Sequence, residues 1–221
     1  MRPVSDQSHL RYPLDRLLGS PGSVRILRAL LLARVPRGVS ALAESTGLTP
    51  QGVRNVLETL VELGVAIAAG AGRAQVYSAN PSHSAHEPLR QLFSAERSRW
   101  QRLRDELRRI VAAKPAVAAA WLYGSAARGD DRPGSDIDLA VLAKGAPVDR
   151  VVAAVRRDVR RLEDAFGVTF SVIGLSQRDV ARRTGASDSD GWWTSAIRDA
   201  QVLKGPHPGD LRGEAGGQAR E

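Results

Sequence analysis

The stretch Trp121-Leu-Tyr-Gly-Ser-Ala-Ala-Arg-Gly-Asp-Asp-Arg-Pro-Gly-Ser-Asp-Ile-Asp-Leu139 decides how this chain is read. Gly124 and Ser125 are followed by ten residues, then by Asp136 and Asp138 with one apolar residue between them. Upstream, Ala116 to Tyr123 is an apolar run of strand length; downstream, Ile137 to Leu142 reads as a second strand that begins inside the acidic pair. Side chains alternate faces along a strand, so Asp136 and Asp138 point one way while Ile137 and Leu139 point into a core. Two carboxylates about 7 Å apart on one strand face make a hard-oxygen site suited to Mg²⁺. Gly124 and Ser125 leave bare backbone N–H groups and a hydroxyl where an anionic group can approach. Carboxylates facing a phosphate cradle are what phosphoryl or nucleotidyl transfer requires, because charge builds up on the attacking and leaving oxygens. A bare Asp-x-Asp in a Gly-rich hairpin is, taken alone, more often an acidic turn.

The whole stretch, including Ala127-Arg128-Gly129 and Ser135-Asp136-Ile137-Asp138-Leu139, resembles the signature of the DNA polymerase beta-like nucleotidyltransferase superfamily, in particular its small MNT-type domains. The resemblance implies that Asp136 and Asp138 hold Mg²⁺, or Mn²⁺ in its place, and that Gly124, Ser125 and Arg128 bind the phosphates of a nucleoside triphosphate. It further implies that an acceptor hydroxyl attacks the α-phosphorus and pyrophosphate leaves. Members of the superfamily usually carry a third carboxylate on a later strand. The matching strand here, Val168 to Ile173, has no acid, and Ser171 takes the place by its spacing from Gly167. A neutral hydroxyl is a poor Mg²⁺ ligand beside a carboxylate. Asp179 or Asp164 could supply the missing acid; otherwise the domain is slow or only binds nucleotide.

Of the 221 residues, 43% are hydrophobic and 25% charged, which describes a globular chain with room for one large or two small domains. There is no cysteine, which excludes disulfides, thiolate zinc sites and cysteine nucleophiles. The N-terminus lacks the apolar core of a signal peptide and no run is long enough to span a membrane, so a cytoplasmic protein with no membrane partner is expected. The net charge of +8 is uneven: the first 114 residues hold 17 Lys and Arg against 9 Asp and Glu, and the remainder 15 of each. A basic first half suits duplex DNA as a partner, although Arg is abundant throughout.

That first half has its own pattern. After a flexible arm over 1–14, Ser20 and Pro21 open a helix with Val24, Leu27, Leu30 and Leu31 at helical spacing. A short helix from Ser40 ends at Gly47, and Thr49-Pro50 starts a third with Val53, Val56, Leu57, Leu60, Val61 and Leu63 on one face. Val65–Ala69 and Ala74–Ser78 then flank a basic tip, a hairpin. Residues 15–81 resemble the winged helix-turn-helix of bacterial transcriptional regulators. The resemblance implies that Thr49, Gln51, Arg54 and Asn55 face DNA and that Arg73 touches its backbone from the wing; because a single small module reads few bases, a homodimer is expected. A winged helix used only for protein contacts is the competing reading.

Residues 82–113 read as a linker and a long amphipathic helix with Leu89, Leu92, Phe93, Trp100, Leu103, Leu107, Ile110 and Val111 on its stripe; its arginines read as a solvated face. Residues 114–205 form the nucleotidyltransferase-like domain: after the acidic motif come a helix over 147–166, the Val168–Ile173 strand, a short helix capped by Ser176, and a last helix from Trp192 to Leu203. Residues 206–221 read as a disordered tail. The expected fold is α+β, an N-terminal winged helix-turn-helix followed by a small mixed-sheet domain. Its function is open between two readings. One is a nucleotidyltransferase attached to a DNA-binding module, with a protein acceptor encoded nearby as the resemblance to toxin–antitoxin MNT members suggests. The other is a regulator whose degenerate transferase domain senses nucleotide or a partner.

Overall fold

The computed structural model describes residues 17–185 and 192–212, so the expected arm over 1–14 and the end of the tail lie outside the described residues. The chain forms two compact units, one reaching Arg99 and the other starting at Trp100.

In the first unit, three helices precede a small sheet. The helix α1 (Pro21–Leu31) starts where the Ser20 hydroxyl accepts from the Ser23 N–H, with Pro21 in the first turn. A two-residue strand β1 (Arg37–Gly38) leads into α2 (Val39–Thr46), and α3 (Pro50–Glu62) is capped by Thr49, whose hydroxyl accepts from Gly52 N–H. The strands β2 (Ala66–Ala69) and β3 (Val76–Ala79) pair antiparallel, and β1 adds to β3, giving the order β1-β3-β2. β1 was not expected, because two residues carry no readable period. Leu27, Leu30, Leu42, Val53, Leu57 and Leu60 are buried together. Val61, expected on the buried face of α3, is exposed, because the inward stripe is Val53, Leu57 and Leu60 and Val61 falls a step around the helix.

The helix α4 (His86–Ala112) begins in the first unit, where Leu89 and Phe93 join that core. Leu92, expected on the same stripe, is exposed beside them. The later turns of α4 contribute Leu103, Leu107, Ile110 and Val111 to a second core. The division between units therefore falls inside α4 and not at its ends.

The second unit is a four-stranded mixed sheet. β4 (Val117–Tyr123) pairs antiparallel with β5 (Ile137–Ala143), and β5 pairs parallel with β6 (Phe170–Leu175). Between β4 and β5 the polar turn contains a single helical turn, α5 (Gly124–Arg128). The strongly amphipathic α6 (Val148–Phe166) covers one face of the sheet with Val151, Val155, Val159 and Leu162 against Leu139, Val141 and Val172. Two shorter helices, α7 (Gln177–Gly185) and α8 (Trp192–Asp199), lie on the other face, where Trp193, Ala196 and Val180 meet Trp121, Ala140 and Leu142.

Two expectations are corrected here. The last helix does not run to Leu203: it ends at Asp199, and Gln201–Lys204 form β7, antiparallel to β4, so the sheet order is β6-β5-β4-β7. The free edge of β4 offers unpaired N–H and C=O groups, and pairing them outweighs one more helical turn. Nor does order stop at residue 205. The Trp121 indole N–H donates to the Pro206 carbonyl at 2.8 Å, Asp210–Arg212 form a short 3₁₀ turn, and Leu211 packs against the Trp121 side of the sheet. No described helix is long and apolar enough to cross a membrane.

Candidate functional site

The acidic pair sits at the mouth of β5. Asp136 is exposed one residue before the strand, Ile137 is buried on the α6 side, and Asp138 returns to the opposite face, half-buried. Asp138 is directly opposite Tyr123 on β4 and Ser171 on β6. Residues paired across a sheet share a face, so Tyr123, Asp138 and Ser171 form one row. The ends of β5 and β6 are tied together by Ile137 N–H donating to Thr169 O at 2.8 Å, and the start of β6 is held by Phe170 N–H donating to the Glu163 carboxylate at 2.9 Å.

Gly124 closes the site from the β4 side. Its φ is +75°, which favours glycine, and a Cβ placed on it would run into the Asp138 carboxylate, so a side chain there would displace that carboxylate. The next residue, Ser125, has a side-chain hydroxyl with no hydrogen bond among the described residues. Arg128, at the end of α5, donates to Asp199 at 2.5 Å and to Asp130 at 3.1 Å, so it is already engaged. The Asp199 side chain is 4% exposed, although the residue as a whole is only partly buried. Burial pushes its carboxyl up, but the bonds from Arg128 and Arg198 outweigh this and hold it below the ordinary carboxylate range. Gln201 Nε2 donates to Ala127 O, so β7 and α8 together fix the position of α5.

Electrostatically the row is tuned around Asp138. Burial, first, and the charge of Asp136, second, raise its pKa, and the more distant attraction of Arg128 does not offset them. Burial and the Asp138 charge push the Tyr123 hydroxyl up to about 12, so it stays a neutral phenol. A half-buried carboxylate whose ionised form is disfavoured by burial and by a second carboxylate fits a divalent cation, which relieves both effects. Among the described residues no group of three His, Cys, Asp or Glu converges, and the pair stands without a third acid.

Ser171, the residue that the sequence resemblance sets in place of a third acid, pairs with Asp138 across the sheet, and its hydroxyl makes no hydrogen bond among the described residues. Neither substitute acid faces it. Asp179 is committed to the start of α7, where it accepts from the Ser176 hydroxyl at 2.6 Å and N–H at 2.9 Å and pairs with Arg182. Those Ser176 bonds also hold its pKa low. Asp164 is exposed on α6, the helix covering the opposite face of the sheet.

The structure also brings residues to the site that the spacing did not mark. Trp192 stands edge-on to Tyr123, with ring centroids 5.4 Å apart and planes at 87°, and Arg183 lies 5.0 Å from the Trp192 ring centre. Trp192 and Asp199 lie 69 and 71 residues beyond Tyr123 and Arg128, and no sequence period connects them.

In the first unit, Thr49, Gln51, Arg54 and Asn55 are exposed together along the opening turns of α3. Thr49 is occupied as the cap, and Gln51 Nε2 donates to Asn55 Oδ1 at 2.8 Å, leaving Arg54 as the one extended cation of the group. Arg73 falls in the short 3₁₀ turn Gly72–Ala74 at the hairpin tip.

Residues 105–180 match the family described as Polymerase beta, Nucleotidyltransferase, a span that holds β4, α5, β5, α6 and β6 with the complete acidic motif. The similarity to that family covers about a third of the chain and lies wholly within the second unit. Two solved structures resemble the chain in part. One is titled "Crystal structure of the toxin-antitoxin with AMP-PNP" (18% identity, 51% of this chain, 82% of that chain, TM-score 0.36). The other is "Crystal structure the toxin-antitoxin MntA-HpeT mutant-D39ED41E" (19% identity, 52% and 82%, TM-score 0.35). Human N-acetylserotonin methyltransferase with SAM matches at 18% identity over 49% of this chain and 36% of that one, with a TM-score of 0.26. Likenesses at these scores carry no argument about function. No curated protein matches the chain.

Proposed function

We propose that the second unit binds a nucleoside triphosphate with Mg²⁺ and transfers its nucleoside monophosphate slowly to an acceptor hydroxyl, releasing pyrophosphate. We propose further that the first unit is a winged helix-turn-helix that binds duplex DNA as part of a homodimer. The observation that carries the transferase reading is the fit of Gly124 against Asp138: a left-handed glycine brings bare backbone within reach of a half-buried carboxylate, as phosphate and cation on one site require.

Asp136 and Asp138 are the residues that would hold Mg²⁺, which when bound supplies charge neutralisation for the phosphates. Gly124 and Ser125 offer the phosphates a backbone approach and a free hydroxyl. Arg128 stays bonded to Asp199 and Asp130, so it places α5 and adds positive potential beside the pair. The acceptor hydroxyl has to lose a proton as it attacks. Ser171, the residue opposite Asp138 where a base would stand, is neutral and far too weak a base to take it. Slow transfer follows, and with it the second reading, a nucleotide sensor, which the same serine favours. A partner protein fits either reading, as the acceptor in the first or as what the domain senses in the second. Calorimetric titration of Mg-ATP into wild type and the Asp136→Asn/Asp138→Asn double variant tests the site. Loss of binding in a folded variant supports it, and equal affinity refutes it. Transfer of radiolabelled AMP separates enzyme from sensor.

On the first unit, the basic excess of the N-terminal half and the exposed Arg54, with Arg73 at the hairpin tip, support duplex DNA as the ligand. Two-fold pairing of such a small module lengthens the sequence it can read.

A further inference from the structure

The row Ser171–Asp138–Tyr123 continues past the end of the sheet into aromatic rings that no part of the phosphate chemistry needs. Trp192 and Trp193 are neighbours at the start of α8 with different environments. Trp193 is 1% exposed and belongs to the core against Trp121 and Ala140, whereas Trp192 is only partly buried. Packing accounts for Trp193. Trp192 meets Tyr123 edge-on and has Trp193 at 6.0 Å, contacts that fix its plane and leave it partly exposed. The Arg183 guanidinium lies 5.0 Å from its ring centre and has no carboxylate partner among the described residues. A large, oriented, partly exposed ring packed on Tyr123, the residue paired with Asp138, suits stacking of a flat ligand.

We propose that Trp192 is the stacking platform for the nucleobase of the triphosphate bound at Gly124 and Asp138, and that it makes the site prefer purines. The proposal rests on the nucleotide reading above. The base takes the place of Arg183 on the indole face, and the freed guanidinium is left near the triphosphate, where its charge is favourable. A purine covers more of the indole than a pyrimidine, so the preference follows from overlap area and not from hydrogen bonds to the base edge.

The test uses the full chain and calorimetric titration with Mg-ATP, Mg-CTP and Mg-tripolyphosphate, the last having phosphates and no base. Trp192→Ala is expected to weaken Mg-ATP roughly tenfold, in the range found when a stacking aromatic is removed. It is expected to leave Mg-tripolyphosphate unchanged and to close most of the gap between Mg-ATP and Mg-CTP. Trp192→Phe, which keeps a ring on Tyr123, is expected to keep most of the Mg-ATP affinity. If Trp192→Ala weakens Mg-ATP and Mg-tripolyphosphate equally, Trp192 only supports the site and the proposal is wrong. It is also wrong if wild type binds Mg-ATP no better than Mg-tripolyphosphate. If wild type binds neither, the nucleotide reading itself fails, and the platform falls with it.

Discussion

Replacing Gly124 by alanine perturbs the site at the point where backbone and carboxylate meet, and Gly129 provides its control. Both glycines have a left-handed φ, +75° and +80°, at the two ends of the same helical turn. A side chain in that conformation costs about 1–2 kcal/mol. The smaller freedom of alanine in the unfolded chain returns about 0.4–1 kcal/mol. A Cβ at Gly129 meets nothing within 4 Å, so Gly129→Ala should destabilise by about 1 kcal/mol and no more. At Gly124 the new methyl collides with the end of the Asp138 side chain. That carboxylate can rotate away, at about 0.5–1.5 kcal/mol for a distorted rotamer. Gly124→Ala should therefore unfold about 2 kcal/mol more easily than wild type in urea, a modest excess over the control. Binding should separate the pair far more sharply. The rotation removes Asp138 from its place, so Mg-ATP affinity should fall at least tenfold in Gly124→Ala and stay within about threefold of wild type in Gly129→Ala, each roughly RT ln of the ratio. Equal affinity in the two variants would refute the claim that Gly124 exists to bring the backbone against Asp138.

Ser171→Asp adds a carboxylate opposite Asp138 and should raise AMP transfer above the wild-type level, most visibly with Mn²⁺; brisk wild-type transfer with no gain from the substitution would show that another acid already serves. Asp138→Asn should stabilise the metal-free protein at neutral pH. The folded pKa of Asp138 is raised, so ionising it carries a penalty that is absent below the ordinary Asp value of about 3.9 and full above the folded value. The melting temperatures of wild type and variant should thus converge at low pH and part as pH rises; a constant offset would contradict the assigned cause. For the first unit, Arg54→Ala should cost roughly 1–3 kcal/mol on a specific DNA site, and unchanged gel shifts for Gln51→Ala, Arg54→Ala and Arg73→Ala together would count against DNA binding by α3.

What this sequence determined by itself is local chemistry. Ser20 with Pro21, Thr49 with Pro50, and Ser176 with Asp179 each mark a helix start because a cap is satisfied within three residues, and α6 shows its apolar stripe without reference to a partner. The acidic motif was legible because it is continuous in the chain: β4 ends at Tyr123, a helical turn and a polar loop follow, and β5 starts at Ile137 between the two carboxylates. The place of Ser171 could be counted from Gly167. That neither Asp179 nor Asp164 faces it could not, since Asp179 is withdrawn by its capping bonds and Asp164 by the side of the sheet that α6 covers. The final segment needed the tertiary structure altogether. Trp193, Ala196, Ile197 and Leu203 suit a helix as well as they suit a helix followed by a strand, and only the open edge of β4 draws Gln201–Lys204 into the sheet. That pairing sets α8 over Tyr123, places Trp192 beside the acidic pair, and buries Asp199 against Arg128, 71 residues away in the chain. Hydrogen bonds between strands and contacts between faces depend on which surfaces meet, and a one-dimensional period does not carry that information.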